Sequence, residues 1–238
     1  MTSCISPSIE VKKQEVNSLY GFPMTPILHV DHFSAHDALT RLGLDEQTLL
    51  DAAKYGYLAR SNCTANHPPL YPSFVAWGET VKALRDLLAT KGWVRDDERN
   101  YSRTVHSEGH IAIAVATGDE ATGVASGTPS TKSPKGPRTI DAVEVNRLQF
   151  SLPFAEWEHI ELHNDQEESQ PTTWLLLIHH TATEIRCELS LPLDMGTDKR
   201  VNVWRERILL RSIPLNLESF EINPPAQPDI DIEIRRKS

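Results

Sequence analysis

"HIAIAVATGDEATGVASGTPSTKSPKGPRTIDAV", residues 110–143, is the stretch that decides the fold of this chain. Its first eight residues are almost all apolar, which predicts a central strand over 110–117 that is buried on both faces. Two carboxylates, Asp119 and Glu120, follow this strand. A loop rich in glycine and proline then leads to Thr139, which we expect to cap a helix. The segment is either a site for an anion or a solvated connection within the fold.

The residues before this stretch predict three helices. Ser34 can cap a helix over 34–42, and Asp45 can cap a second over 45–58. The strongest helical signal covers 73–92, where apolar residues recur with the 3.6-residue period of a helix. One face of this third helix carries Phe74, Trp77, Val81, Leu84, Leu87 and Leu88.

Alternation of apolar and polar residues predicts strands in the rest of the chain. These strands cover residues 101–106, 110–117, 174–181, 184–191, 201–210 and 229–234. The fold class is therefore α+β, in which a helical N-terminal part packs with a mostly antiparallel sheet and one further helix. The predicted parts are a loose arm over 1–33, the helical part over 34–92, the sheet part over 93–222, and a proline-rich link with a C-terminal strand over 223–238. Short connections favour one continuous fold.

Composition limits the classes of function. The chain has 238 residues and a formal net charge of −9, which argues against a general nucleic-acid coat protein, although a local basic patch could still bind phosphates. Cys4, Cys63 and Cys187 are far apart and predict no disulfide framework. The N-terminus lacks the layout of a signal peptide, and the longest run of Leu and Ile, 175–178, is too short to span a bilayer. We expect a cytoplasmic protein without membrane contact.

The loop after the central strand is a candidate binding site for anions or nucleic acid. It carries Lys132, Lys135 and Arg138 among glycines and prolines. Glycine lets backbone amides approach an anion, and the helix that follows offers free N–H groups at its start. The sequence lacks both the Walker phosphate-binding pattern and the dinucleotide-binding glycine pattern. A solvated loop without a ligand is the alternative interpretation.

A hydrolytic site is a second hypothesis. Asp119 and Glu120 stand where a buried strand reaches the surface, and they could hold a metal or activate water while the basic loop binds phosphate. Such a site needs a third ligand, for which Glu184, Glu188 and His180 are the candidates. The specific spacings of restriction-type nucleases, serine hydrolases and zinc proteases are absent from the sequence. The sequence therefore favours a protein without enzymatic activity over an enzyme.

A metal site built from histidines is a weaker hypothesis. His29, His32 and His36 lie close together in sequence, and Cys63 and His67 follow in the next loop. On a helix, His32 and His36 would share one face, as metal ligands often do. No matched second pair completes four ligands, so structural histidines are favoured and no cofactor is expected.

Two further segments are candidate contact surfaces for a protein partner. Residues 156–168 are strongly acidic and contain no lysine or arginine. If this segment is extended, Trp157, His159, Glu161 and His163 lie on one side, where they could bind a metal; a solvated edge or a docking strip for a basic partner is the more ordinary interpretation. The tail at 229–234 alternates as edge-adding strands do, and it can complete the chain's own sheet or pair with another subunit.

Six motifs follow one another between Asn62 and Arg147: CTANHPP, AWGETVKALRDLL, GW, ERNY, IAIAVATGDEATG and TKSPKG. Their order resembles that in a group of bacterial proteins of unassigned function. The resemblance implies an accessory protein encoded beside helicases and DNA-modifying enzymes, and it transfers no catalytic residues. We therefore expect a non-enzymatic interaction subunit of a complex acting on DNA, in a defence or mobile-element context, with a metal- or phosphate-dependent hydrolase as the alternative.

Overall fold

The computed structural model describes residues 25–151 and 170–215. It has an α+β fold, which confirms the predicted class. The predicted acidic segment at 156–168 and the predicted strand at 229–234 lie outside the described residues. The elements are β1 Ile27–His29, α1 His32–Arg41, α2 Glu46–Ser61, α3 Tyr71–Ala89, β2 Trp93–Asp96, a 3-10 turn Glu98–Asn100, β3 Arg103–His106, β4 Ile111–Thr117, α4 Pro137–Ser151, β5 Thr172–His180, β6 Glu184–Met195, β7 Val201–Leu209 and β8 Ile213–Pro214.

The strands of the described part form one mixed sheet in the order β1-β7-β6-β5-β4-β3-β2, with β8 paired to β6. Most pairs are antiparallel, as predicted, but β1 with β7 and β4 with β5 are parallel. Parallel neighbours cannot be joined by a hairpin and need a crossover connection. Helix α4 supplies it, so β4, α4 and β5 form a βαβ unit. This unit places the carboxyl ends of β4 and β5 side by side.

The sheet is covered on both faces. Helices α1, α2 and α3 pack on one face, where Leu84 of α3 and Leu49 of α2 are fully buried against residues such as Leu176. On the other face, Val143 of α4 packs with Leu177 and its neighbours. Burial of each such side chain contributes about 1.5–3 kcal/mol to folding. Strand β4 is buried on both faces, as its sequence predicts.

Several helices begin earlier than predicted. Helix α1 has Asp31 as its N-cap instead of Ser34, because the Asp31 carboxylate accepts the amide N–H groups of Phe33 and Ser34. Strand β1 and α1 also show that the arm predicted over 1–33 does not extend to residue 33. The predicted cap Asp45 is confirmed, since its carboxylate accepts the N–H of Thr48 at 2.8 Å.

The predicted apolar face of α3 is only partly an inner face. Leu84 and Leu88 are fully buried, and Val81 is buried as well. Phe74 and Trp77 share this face by sequence period, yet 65% and 36% of their surfaces are exposed. The first half of α3 therefore presents aromatic rings to solvent, which the sequence pattern did not predict.

Candidate anion-binding groove

The connection between β4 and α4, residues 118–136, is fastened to the sheet and is called the 118–136 loop below. Asp119 donates its backbone N–H to the carbonyl of Ser130 at 2.9 Å, which closes the loop on itself. Thr131 donates its N–H to the carbonyl of Val201 on β7 at 3.0 Å, and its hydroxyl accepts the N–H of Val201. The loop is thus fastened to the sheet by its backbone, while Lys132, Ser133 and Pro134 are exposed.

A buried ion pair on the neighbouring strands β6 and β7 also holds the 118–136 loop. Glu188 on β6 and Arg207 on β7 are 0% and 2% exposed, and two N–H groups of the guanidinium donate to the carboxylate at 3.1 and 2.7 Å. The carboxylate also accepts the backbone N–H of Gly123, while Arg207 donates to the carbonyls of Val124 and Gly127. The bonds to Gly123, Val124 and Gly127 tie the loop to the sheet, which gives Glu188 a structural role.

A groove of about 400 Å³ lies where β4 and β5 end, beneath the ends of α2 and α3 and beside the 118–136 loop. Ligands in open α/β sheets commonly bind outside the carboxyl ends of parallel strands, and this groove occupies that position. Its volume is in the range of small-molecule sites. Its lining residues are Arg60, Leu70, Ser73, Ala76, Trp77, Thr80, Val115, Ala116, Thr117, Lys132, Ser133, Ile178, His179 and His180.

The groove carries positive charge without a carboxylate among these lining residues. Arg60, from the last turn of α2, donates to the hydroxyl of Ser73 at 3.2 Å. Within the described residues, neither Arg60 nor Lys132 has a carboxylate within 4 Å, whereas most arginines there do, as Arg138 does with Asp141. In a chain of net charge −9, two cations that face one cavity without a counter-ion favour an anionic ligand.

The pKa of His180 depends on the burial and the positive charge of the groove. Burial and, to a smaller extent, the nearby charges of Arg60, His179 and Lys132 together lower the pKa of its imidazole to about 4. The ring lies 5.7 Å from that of Tyr57 on α2, and its Nε2 has no hydrogen-bond partner in the part of the chain that the structure describes. His180 is thus neutral at neutral pH, and its Nε2 is a buried polar atom at the edge of the groove.

The three predicted loop cations do not converge. Lys132 lines the groove. Lys135 is partly buried; its backbone N–H donates to the carbonyl of Lys199, and burial lowers the pKa of its ammonium group. Arg138 lies in a different cavity at the start of α4, where it pairs with Asp141 at 3.0 Å. The prediction of one basic cluster from Lys132, Lys135 and Arg138 is therefore wrong in its geometry.

The predicted catalytic residues also have separate environments. The carboxylate of Asp119 accepts a backbone N–H within its own turn, and Glu120 is exposed. The carboxylate of Glu184 lies 3.6 Å from an arginine nitrogen. Glu188 lies beneath the 118–136 loop, whereas His180 lies on the opposite face of the sheet beside α2. These five residues do not form one constellation.

The histidines proposed as metal ligands are similarly dispersed. His29 on β1 contacts the carboxylate of Glu206 on β7 through Nε2 at 2.8 Å. His32 and His36 do share a face of α1, with ring centroids 6.3 Å apart, and both are exposed. Residues 25–151 and 170–215 contain no group of three or more His, Cys, Asp or Glu side chains that could hold a metal ion.

Arg60 and Trp77 are groove residues that sequence reasoning missed. Arg60 precedes a proline-rich loop and Trp77 lies on an apolar helical stripe, so neither stands in a recognisable motif. The pairing of α2 with α3 brings the end of one helix to the start of the other, and only this contact makes Arg60 a neighbour of Ser73. A local pattern in the sequence carries no signal for such a contact.

Comparisons of the chain with protein-family models, with curated proteins and with solved structures find no match. Among the helices of the described residues, none is both long and apolar enough to cross a membrane. Function must therefore be inferred from the chemistry of the groove.

Proposed function

We propose that this chain is a non-enzymatic bacterial accessory subunit that holds a phosphate-bearing partner in the groove, as part of a cytoplasmic complex acting on DNA. The observation that carries this proposal is that Arg60 and Lys132 line the same cavity, whose described lining contains no carboxylate. The association with DNA is what the resemblance of residues 62–147 to bacterial accessory proteins implies.

The chemistry of the groove suits a phosphate group. A guanidinium and an ammonium can each donate to phosphate oxygens, and such charge-assisted bonds are stronger than neutral ones. The hydroxyl of Ser73 already orients Arg60 from one side. A bound anion would also relieve the repulsion among the groove's positive groups.

The composition of the groove favours binding over hydrolysis. Hydrolases of phosphate esters use carboxylates, histidines or metal ions to activate water. The described lining contains no Asp, Glu or Cys, and its two histidines follow one another at the end of β5. Asp119 and Glu120, on which the hydrolase alternative depends, do not line the groove. We therefore retain the interaction subunit as the proposed function.

Charge reversal at one groove residue tests the proposal. Inorganic tripolyphosphate is titrated by calorimetry into the natural chain, Lys132→Glu and Arg95→Glu. Arg95 is an exposed cation of edge strand β2 outside the groove, so its reversal changes the net charge equally. A charge-assisted bond is worth about 1.5–3 kcal/mol, so Lys132→Glu should weaken binding roughly 10-fold or more.

Arg95→Glu should bind tripolyphosphate nearly as the natural chain does. Equal weakening in both variants would mean that only net charge matters, and it would contradict a specific site. No binding to the natural chain would contradict the proposal outright. Release of inorganic phosphate during the titration would contradict its non-enzymatic part.

A further inference from the structure

An aromatic surface continues from the mouth of the groove along the first two turns of α3. Leu70 and Trp77 line the groove, and Phe74 lies between them in sequence on the same helical face. The rings of Phe74 and Trp77 have centroids 6.0 Å apart at an interplanar angle of 41°. Phe74 is 65% exposed, although large aromatic side chains are usually covered in a folded protein. An exposed aromatic pair of this kind favours a ligand with a flat apolar face.

Positive charge and aromatic rings meet in one cavity. Arg60 and Lys132 line the groove together with Trp77. Proteins that bind single-stranded nucleic acid combine these two features, because cations follow the phosphate backbone while bases stack on aromatic rings. Trp and Arg are also common at protein interfaces, but Lys is depleted there, so Lys132 favours a phosphate-bearing ligand over a protein surface. The cations and the aromatic ring of the groove thus match the same class of ligand, single-stranded nucleic acid.

We propose that the groove binds single-stranded nucleic acid, with a backbone phosphate held by Arg60 and Lys132 and a base stacked on Trp77 beside Phe74. This inference rests on the proposed function and names the partner class. A base inside a duplex is paired and stacked, so its face cannot reach Trp77. Selectivity for single strands follows, and sequence preference is weak because every base has a stacking face.

The test measures the fluorescence anisotropy of a short thymidine oligonucleotide that carries fluorescein at its 5′ end. Trp77→Ala and Phe74→Ala are compared with Phe33→Ala, which removes a phenylalanine of α1 that is 79% exposed and lies outside the groove. Loss of one stacking partner should weaken binding about 5- to 100-fold. Phe33→Ala should leave the affinity unchanged. Trp77→Phe keeps a stacking face and should retain more affinity than Trp77→Ala.

An abasic oligonucleotide of equal length separates base stacking from phosphate binding. It should bind more weakly than the thymidine strand and should not respond to Trp77→Ala. Equal binding of both strands would overturn the stacking inference but leave the phosphate-binding function intact. If neither the oligonucleotides nor tripolyphosphate bound, both the stacking inference and the phosphate-binding function would be overturned. Tighter binding of a duplex would also overturn the inference.

The Phe74→Ala variant keeps the test valid if Trp77→Ala fails to fold. Because the Phe74 side chain is largely exposed, its removal should not affect folding.

Discussion

The carboxylate of Glu188 holds three parts of the molecule together. It is carried by β6, it accepts two hydrogen bonds from Arg207 on β7, and it accepts the N–H of Gly123 in the 118–136 loop. A buried charge is tolerated only when it is paired and hydrogen-bonded. This network therefore fixes the loop that presents Lys132 to the groove.

Removing the charge of Glu188 should destabilise the fold strongly. Glu188→Gln keeps the shape of the side chain but leaves Arg207 buried without a counter-ion, which typically costs about 3–5 kcal/mol. The free energy of unfolding is measured by urea denaturation. Exposed Glu120→Gln is the control and should change it by less than about 0.5 kcal/mol. Equal, small effects of both substitutions would contradict the anchoring role.

At the scale of single residues, the sequence names candidate cations but not where the fold places them. Lys132, a candidate ligand for an anion, lines the groove. Arg138, predicted for the same cluster, is paired with Asp141 instead. Arg60 has no motif around it, and its position depends on the packing of α2 against α3. The fold brings such residues together through contacts that local spacing does not encode.

At the scale of elements, α2 and α3 approach each other closely at Gly56. A Cβ atom at this position would lie 2.6 Å from the backbone carbonyl of Ala76 and 2.0 Å from the hydroxyl of Thr80. Gly56→Ala should therefore lower the free energy of unfolding by about 1–3 kcal/mol through overpacking, although alanine favours a helix. Thermal or urea denaturation measures the change.

The matched control is Gly78→Ala, which also replaces a helical glycine. A Cβ atom at Gly78 would have no neighbouring atom within 4 Å. Alanine there should stabilise the chain by up to about 1 kcal/mol through its helix propensity. If Gly56→Ala were as stable as Gly78→Ala, the close contact between the helices would be refuted.

The sequence predicted most elements and missed their connectivity. Helical and strand periods located α1 to α4 and the main strands, because these periods follow directly from burial of one face. The parallel pairing of β4 with β5 was not predicted. Strand pairing depends on contacts between distant residues, and an apolar strand fits either direction. That pairing creates the groove, so the site depends on the least predictable feature of the fold.

At the scale of the whole molecule, the groove is a local exception to an acidic chain. The formal net charge is −9, yet Arg60 and Lys132 face the cavity without a carboxylate among its described lining residues. The net negative charge of the chain disfavours general attraction of nucleic acid, so binding depends on the two cations of the groove. Binding should accordingly be local and should saturate at one site per chain.

The most direct measurement is the titration of His180 by histidine-selective NMR, with and without tripolyphosphate. Burial and neighbouring cations hold its pKa at about 4 in the free chain. An anion bound beside Arg60 and Lys132 offsets their charge and stabilises the imidazolium form, so the pKa of His180 should rise when the site is filled. His180→Gln assigns the signal. An unchanged pKa at saturating tripolyphosphate would contradict binding in the groove.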